Sequence, residues 1–188
     1  MKLPLFFFIS LLSTSSLAQQ QETFDLITYA APAGWNKSGD TNVIGYSTTN
    51  KKTGTYCQLG IYASTNSQGN SLADFKSEWQ ILIAKTYKPS NDPEPISTPL
   101  TNGWTAQRGV APFQFDGAES AAMLVTMSGY GRCMSIVILS NTKDYFPVVE
   151  KFLASVELEK IEALAPPSTV TTAPDVNNDD AQSVVASG

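Results

Sequence analysis

The amino-acid sequence predicts a mixed α+β domain, built as an α/β/α sandwich around a central, mainly antiparallel sheet. Three patterns support this fold class: alternating apolar and polar runs, short turn sequences that join such runs directly, and two amphipathic helical segments. The helices are expected at about residues 71–87 and 144–155, one on each face of the sheet. With about 140 residues, the segment 20–160 is long enough to bury one hydrophobic core.

Three strands are predicted in the first part of this segment. They lie at residues 23–29, 43–48 and 56–63, and each is bounded by glycine, proline or asparagine residues that favour turns. In the third strand the apolar residues alternate with a period of two, which indicates one buried face. These alternating residues are Cys57, Leu59 and Ile61.

Residues 71–87 carry the clearest helical pattern. Their apolar residues recur at spacings of three and four, which forms one stripe for packing against a sheet. Ser71 is predicted to cap this helix, with Asp74 three residues on, as in a capping box. Pro89 ends the helix, and further prolines keep the next connection extended. The stripe consists of Leu72, Phe75, Trp79, Leu82, Ile83 and Thr86.

The second part of the segment predicts four more strands and the second helix. The last two strands are apolar on both faces, which is typical of central strands in a sheet covered on each side. The glycine-containing segment 128–132 is predicted to join them as a tight hairpin. Asp144 is predicted to cap the second helix, with Pro147 in its first turn. The four strands are expected around residues 104–110, 113–115, 121–127 and 133–139.

The N-terminus has the pattern of a cleavable secretory signal peptide over residues 1–18. Lys2 supplies a positive charge, an apolar run follows, and Ser16-Leu17-Ala18 forms a small-x-small cleavage site. The apolar run is well short of the roughly 20 residues that a membrane-spanning helix needs. We therefore expect an exported protein, periplasmic or secreted, with no stable membrane insertion after signal cleavage.

Residues 161–188 differ in composition from the rest of the chain. They contain no aromatic residue and three prolines, so they are predicted to form a disordered tail. Asp175, Asn177 and Asp179 are spaced like the start of a calcium loop, but Asp180 stands where such a loop needs glycine. No metal site is therefore predicted in the tail.

Charge and composition limit the function. The net charge is −5, and no large cluster of lysine and arginine is present, which disfavours nucleic acid as a partner. The chain contains no histidine, which excludes Ser-His-Asp and Cys-His catalytic systems and histidine-containing zinc sites. No cofactor is predicted.

Two cysteines, Cys57 and Cys133, lie in predicted strands. In an oxidising compartment they could form a disulfide, provided that their Cα atoms lie within about 7 Å. The alternative is two separate buried thiols. The sequence leaves both interpretations open.

Trp35, Trp104 and Tyr130 are the candidate ligand-binding residues. Each tryptophan follows a glycine near the edge of a strand or loop, where an exposed ring could stack on a sugar or anchor a partner protein. The favoured alternative is that both tryptophans cover the ends of the core. Tyr130 lies between two glycines, in a segment that resembles a phosphate loop but is better explained as a hairpin, because a strand follows it.

Asp116 and Glu119 form the one carboxylate pair considered for catalysis. Glycoside hydrolysis by a retaining mechanism needs two carboxyl groups about 5 Å apart on the floor of a cleft. A short turn between strands is expected to place these two in solvent instead. No catalytic residue is therefore predicted.

Several segments together resemble the Mog1/PsbP-like superfamily, which includes uncharacterised exported bacterial proteins of this type. They are Tyr29–Trp35, the helix with Phe75 and Trp79, the glycine hairpin before an apolar strand, and residues 146–156. The similarity spans about residues 24–158. It implies an α/β/α sandwich and an accessory or binding role, generally without catalysis.

These observations support an exported, non-enzymatic accessory or binding domain. Its partner would be an unknown protein or an envelope component. A carbohydrate-binding module that uses exposed tryptophan and tyrosine residues is the first alternative. A histidine-free hydrolase that uses carboxylates is the second.

Overall fold

The structure, a computed structural model, describes residues 21–160. They form a seven-stranded sheet, a three-stranded sheet and two helical regions, which confirms the predicted α+β class. The predicted signal peptide at 1–18 and the predicted disordered tail at 161–188 lie outside the described residues. Within the described range, no helix is long and apolar enough to cross a membrane.

The strands form two sheets in which neighbouring strands are antiparallel. In chain order the strands are β1 (Gln21–Phe24), β2 (Ile27–Ala30), β3 (Asn36–Gly39), β4 (Val43–Asn50), β5 (Thr55–Asn66), β6 (Ile96–Pro99), β7 (Thr105–Phe115), β8 (Ala118–Gly129), β9 (Arg132–Ser140) and β10 (Glu157–Leu158). The small sheet has the order β1-β2-β10. The large sheet has the order β3-β4-β5-β9-β8-β7-β6, so the two strands that are apolar on both faces lie near its centre.

Two helical regions accompany the sheets. The first is made of α1 (Ser71–Glu78), a π-helical segment (Trp79–Ala84) and α2 (Lys85–Tyr87). Its extent confirms the helix predicted at 71–87. The second is α3 (Phe146–Ala154), which is slightly shorter than predicted. Asp144 does not cap it, because Tyr145 precedes the first turn and makes no capping hydrogen bond through its side chain.

The cap of α1 also differs from the prediction. Asn70 is the capping residue, since its side-chain oxygen accepts a 2.9 Å hydrogen bond from the backbone nitrogen of Ala73. Ser71 is therefore the first helical residue. Asp74 is buried and accepts a 2.9 Å hydrogen bond from the Ser67 hydroxyl instead of closing a capping box. Asparagine and serine both cap helices well, so residue type alone did not distinguish them.

A hairpin occupies the region predicted as one strand over residues 23–29. Asp25 has a φ of 50° and lies in the two-residue turn between β1 and β2. Aspartate tolerates this left-handed conformation better than most residues. Because the turn has only two residues, the apolar residues before and after it are spaced as they would be in one strand. Their spacing therefore did not indicate that the chain reverses direction here.

Differences also occur at the edges of the large sheet. Strands β3 and β6 were not predicted, because all of their residues are exposed and no apolar alternation marks them. Strand β7 is continuous where two strands were predicted on either side of Pro112. The carbonyl of Pro112 faces away from β8 and accepts a hydrogen bond from Ser90. The Pro112 nitrogen also faces away from β8, on the side where β6 pairs only with residues 105–108 of β7. The missing N–H of proline therefore removes no hydrogen bond between strands.

The predicted hairpin at residues 128–132 is confirmed. Gly129 pairs with Arg132, and Tyr130 and Gly131 form a two-residue turn with φ values of 53° and 74°. Two successive positive φ values are characteristic of the turn that best suits the twist of a hairpin.

The hydrophobic core lies on both faces of the large sheet. One cluster packs between the sheet and the first helical region and includes Phe75, Trp79 and Leu124. The other includes Ile27, Ile136 and Phe152, from the small sheet, the large sheet and α3. One helix therefore covers each face, as predicted.

Candidate functional site

An open groove of about 940 Å³ lies at one end of the large sheet, and we call it the end groove. Four segments line it: residues 86–90 after the first helix, residues 112–114 of β7, residues 119–121 of β8, and residues 140–146 between β9 and α3. The groove is thus assembled from parts of the chain that lie far apart in sequence.

The β7–β8 hairpin forms one wall of the end groove. Its two-residue turn consists of Asp116 and Gly117, with φ values of 49° and 75°. The register pairs Phe113 with Ser120 and Gln114 with Glu119 just before the turn, which brings the lining residues of β7 and β8 side by side. The long pairing of these strands holds this wall in place.

The connection between β9 and α3 forms another part of the lining and is tied to β5. The Asn141 side chain accepts a 2.8 Å hydrogen bond from the Tyr56 nitrogen and donates one of 3.1 Å to the Gly54 carbonyl. The Ser140 hydroxyl lies 2.8 Å from the carbonyl oxygens of both Tyr56 and Thr142. These contacts fix this part of the lining before any ligand arrives, which reduces the entropy cost of binding.

Aromatic rings provide the apolar part of the lining. The Phe113 ring is almost fully buried and contacts Tyr87, with ring centroids 5.2 Å apart. Burial raises the pKa of the Tyr87 hydroxyl above its usual value, so this group stays neutral at physiological pH. Phe146 adds a third, half-buried ring from the start of α3. A ligand with an apolar body would find complementary surface here.

The charges at the end groove differ in sign from the chain as a whole. Lys88 and Lys143 both line it and are exposed, whereas Glu119 is the one carboxylate among the lining residues. The ion pairs found within residues 21–160 are Lys37–Glu22 and Arg108–Glu150, so neither groove lysine has an acidic partner there. The groove thus carries an excess of positive charge in a protein whose net charge is −5.

Trp104 does not present its ring to solvent. It is 1% exposed, and its indole nitrogen donates a 3.1 Å hydrogen bond to the Glu159 carbonyl. The interpretation of Trp104 as an exposed ligand-binding ring is therefore wrong. The structure shows the alternative, in which Trp104 covers the end of the core. Tyr130 contacts it edge to face at 5.7 Å, is 39% exposed, and donates its hydroxyl hydrogen to the Asn102 carbonyl.

Trp35 lies against a different partner. It is half-buried on the core and contacts Tyr145 edge to face, with ring centroids 6.0 Å apart. The structure thus brings Trp104 and Tyr130 together and pairs Trp35 with another ring. The three candidate residues do not line the end groove.

Cys57 and Cys133 are free and buried. Cys57 pairs with Ser140 at one end of β9, whereas Cys133 lies near the other end of that strand. The two positions are roughly 20 Å apart along β9 at about 3.3 Å per residue, so the disulfide alternative does not hold. Burial raises the pKa of Cys57 to about 11 and that of Cys133 to about 12, so both thiols stay protonated and unreactive.

The carboxylates considered for catalysis are both exposed, as expected. Asp116 lies in the β7–β8 turn, and Glu119 lies three residues further on at the wall of the end groove. Glu119 thus belongs to the groove, whereas the sequence indicated a role for it only together with Asp116. The groove itself was missed, because its lining residues form no sequence motif.

A polar network outside the groove was also missed, and we call it the Glu22 network. One carboxylate oxygen of Glu22 accepts hydrogen bonds from Tyr46 (2.7 Å), Tyr29 (3.3 Å) and Lys37 (2.5 Å). The hydrogen bond from Lys37 is the main cause that lowers the pKa of Glu22. Burial raises the pKa of the Tyr46 hydroxyl, which remains a hydrogen-bond donor. This network joins the small sheet to β3 and β4 of the large sheet.

Comparisons with known proteins show no family for this chain. No family model matches the chain, and no curated protein matches it. Solved structures do match, among them the crystal structure, at 1.50 Å resolution, of a protein from Bacteroides thetaiotaomicron. The two share 13% sequence identity with a TM-score of 0.49, over 76% of this chain and 49% of the other. The chain therefore spans about half the length of that protein.

Proposed function

We propose that this protein is an exported, non-enzymatic binding domain whose ligand site is the end groove. The observation that carries this proposal is the groove itself, a concavity of about 940 Å³ with aromatic rings, hydroxyl groups and two lysines in its lining. Ligand sites are typically clefts of about 300–1,000 Å³ with a mostly apolar lining and a few polar groups. The hydrogen bonds of Ser140 and Asn141 hold one wall ready for a ligand.

The hydroxyl groups at the groove support binding more than catalysis. The Ser120 hydroxyl accepts a 3.0 Å hydrogen bond from Tyr56, and the Ser140 hydroxyl bonds to backbone carbonyls. In none of these hydrogen bonds is the partner a general base of the kind that activates a nucleophilic serine, and the chain contains no histidine. These contacts support a binding role for the groove.

The setting of this activity is proposed from the sequence. The signal-peptide pattern at residues 1–18 supports export, and an envelope component or exported protein would then be the biological partner. The resemblance to the Mog1/PsbP-like superfamily agrees with an accessory role, and a sheet with one helix on each face is consistent with it. The carbohydrate alternative loses support, since Trp104 is buried and Trp35 packs elsewhere.

The proposal is tested by mapping ligand contacts in solution. Isotope-labelled protein would be titrated with a panel of small amphipathic molecules and soluble glycans while backbone amide shifts are followed by NMR. We expect binders to perturb amides of Gln114, Ser120 and Thr142, which line the groove. Gln114→Trp, which fills the groove from β7, should abolish these responses. The matched control is Gln68→Trp, in an exposed loop outside the groove.

Two results would contradict the proposal. One is a binder whose shifts cluster around Trp35 or Tyr130 while the groove amides stay unchanged. The other is full retention of binding by Gln114→Trp. Either result would move the ligand site away from the end groove.

A further inference from the structure

We propose that the ligand of the end groove is an organic anion with an apolar body, such as an amphipathic carboxylate. This inference rests on the proposed function and specifies the chemistry of the ligand. It is carried by two features of the groove that point in the same direction, its excess of positive charge and its aromatic rings.

The positive charges of the groove come from two separate segments of its lining. Lys88 follows the first helix, and Lys143 lies on the connection between β9 and α3. Both side chains are exposed and lack an acidic partner within residues 21–160, so they are available to a ligand. Lys88 directly follows the end of α2, and its backbone is in the left-handed conformation, with a φ of 47°. An anionic group bound in the groove would meet this excess of positive charge.

The apolar part of the groove lining is aromatic. Tyr87 and Phe113 are in ring contact, and Phe146 faces the same groove from the start of α3. A hydrophilic anion such as free phosphate would leave this surface exposed to water. A neutral apolar molecule would use the rings and leave both lysines without a counter-charge. An amphipathic anion satisfies both features at once.

The size of the charge effect can be bounded. Exposed ion pairs contribute little each, so neutralising one lysine should weaken anion binding by about 2- to 5-fold, and neutralising both by about 10-fold. Raising the ionic strength should weaken anion binding in the same way, because salt screens exposed charges. Binding of a neutral analogue should depend on neither change.

The experiment compares two fluorescent probes that differ in one group. Anilinonaphthalene sulfonate is an aromatic anion, and phenylnaphthylamine has the same aromatic body without the sulfonate. We expect the anion to bind more tightly, and the double variant Lys88→Asn with Lys143→Gln to remove this preference while the neutral probe keeps its affinity. Asparagine is chosen at position 88 because it tolerates a positive φ. The matched control is Lys76→Gln, an exposed lysine on α1 outside the groove.

Competition then separates the sources of such an anion. Displacement of the fluorescent anion by decanoate would indicate a soluble carboxylate, and displacement by phosphatidylglycerol vesicles would indicate a lipid headgroup. Both support an amphipathic anion. Decanol, which has the same chain length and no charge, should compete more weakly than decanoate.

The failure of this inference is distinct from failure of the proposed function. If both probes bind equally tightly, and Gln114→Trp abolishes the binding of both, the groove binds ligands and the anion preference is wrong. If Gln114→Trp leaves both probes bound, the groove is not the site. Unchanged anion affinity in the double lysine variant would also overturn the inference.

Discussion

The Tyr46 hydroxyl donates a 2.7 Å hydrogen bond to Glu22 and so links β4 of the large sheet to β1 of the small sheet. Tyr46 is 3% exposed, and its hydroxyl also lies 3.1 Å from that of Tyr29. The small sheet closes one side of the larger core cluster. The Glu22 network is therefore expected to contribute to the docking of the two sheets.

Tyr46→Phe should destabilise the protein by about 1–2 kcal/mol, because it removes a hydrogen bond to a charged carboxylate from a buried position. Tyr29→Phe is the matched control. It removes a hydroxyl from an equally buried tyrosine whose contact with Glu22 is longer, 3.3 Å, so its effect should be smaller. Urea unfolding measures both free energies. No loss for Tyr46→Phe would show that this bond does not stabilise the docking, and equal losses would show that the shorter bond contributes no more than the longer one.

The same network predicts a dependence of stability on pH. The pKa of Glu22 is lowered in the folded protein, first by the hydrogen bond from Lys37, from an ordinary value of 4.5. The unfolded chain therefore binds its proton more readily, so this contribution to stability is fully present above the ordinary pKa. It is lost as the pH falls through the lowered folded pKa.

Glu22→Gln removes that titration. Unfolding free energies of wild type and variant should differ most at neutral pH, and the difference should shrink on acidification below about pH 4.5. Urea unfolding at several pH values measures it. A difference that stays constant from pH 7 to pH 3 would contradict the prediction.

The close approach of Gly129 and Trp104 predicts a steric limit at the end of β8. A Cβ atom on Gly129 would lie 2.8 Å from the Trp104 ring, which is itself buried. Gly129→Ala should cost about 1–3 kcal/mol, since overpacking a buried contact forces neighbours to move. Gly45→Ala is the control, because its nearest atom is the hydroxyl of the exposed Ser38 at 3.1 Å. Thermal unfolding compares the two, and equal shifts in melting temperature would refute the steric explanation.

This contact also shows how far the sequence predicted the structure. The apolar periods of residues 71–87 and of the central strands are strong, because these segments bury whole faces, and the structure confirms them. The exposed edge strands β3 and β6 bury no face and leave no such pattern. Whether a tryptophan after a glycine is exposed depends on what packs on it, and Gly129 and Glu159 are distant in sequence from Trp104.

The end groove could not be predicted from the sequence either, because its lining residues are distant from one another along the chain. Its walls come from segments that are joined by strand pairing and by the hydrogen bonds of Asn141 to Tyr56 and Gly54. The lysines, hydroxyls and rings in it are ordinary surface residues when read along the chain. They form a groove only after folding, because their convergence depends on the register of the whole sheet.

The thiols are predicted to resist modification in the folded protein. Burial raises the pKa of both Cys57 and Cys133, and the thiolate is the reactive form. Reaction with DTNB should therefore be slow under native conditions and rapid for both residues in denaturant. Cys57→Ser assigns the two signals. Fast native modification of either thiol, or an intact mass that indicates a disulfide, would contradict the structure.

A last prediction concerns Thr126 and Ser135, which pair across β8 and β9 under the first helical region. The Thr126 hydroxyl is fully buried and has no hydrogen-bond partner among the described residues, whereas the Ser135 hydroxyl donates a 2.9 Å bond to Glu78. A buried hydroxyl without a partner costs free energy that an isosteric methyl group does not.

Thr126→Val should therefore stabilise the protein by about 1 kcal/mol, and Ser135→Ala should destabilise it by about the same amount. Both substitutions remove one hydroxyl at neighbouring buried positions of the same face, so only the presence of a partner distinguishes them. Urea unfolding gives both values under identical conditions. A loss of stability in Thr126→Val would contradict the prediction. It would mean that the Thr126 hydroxyl has a hydrogen-bond partner in solution that the described residues do not provide.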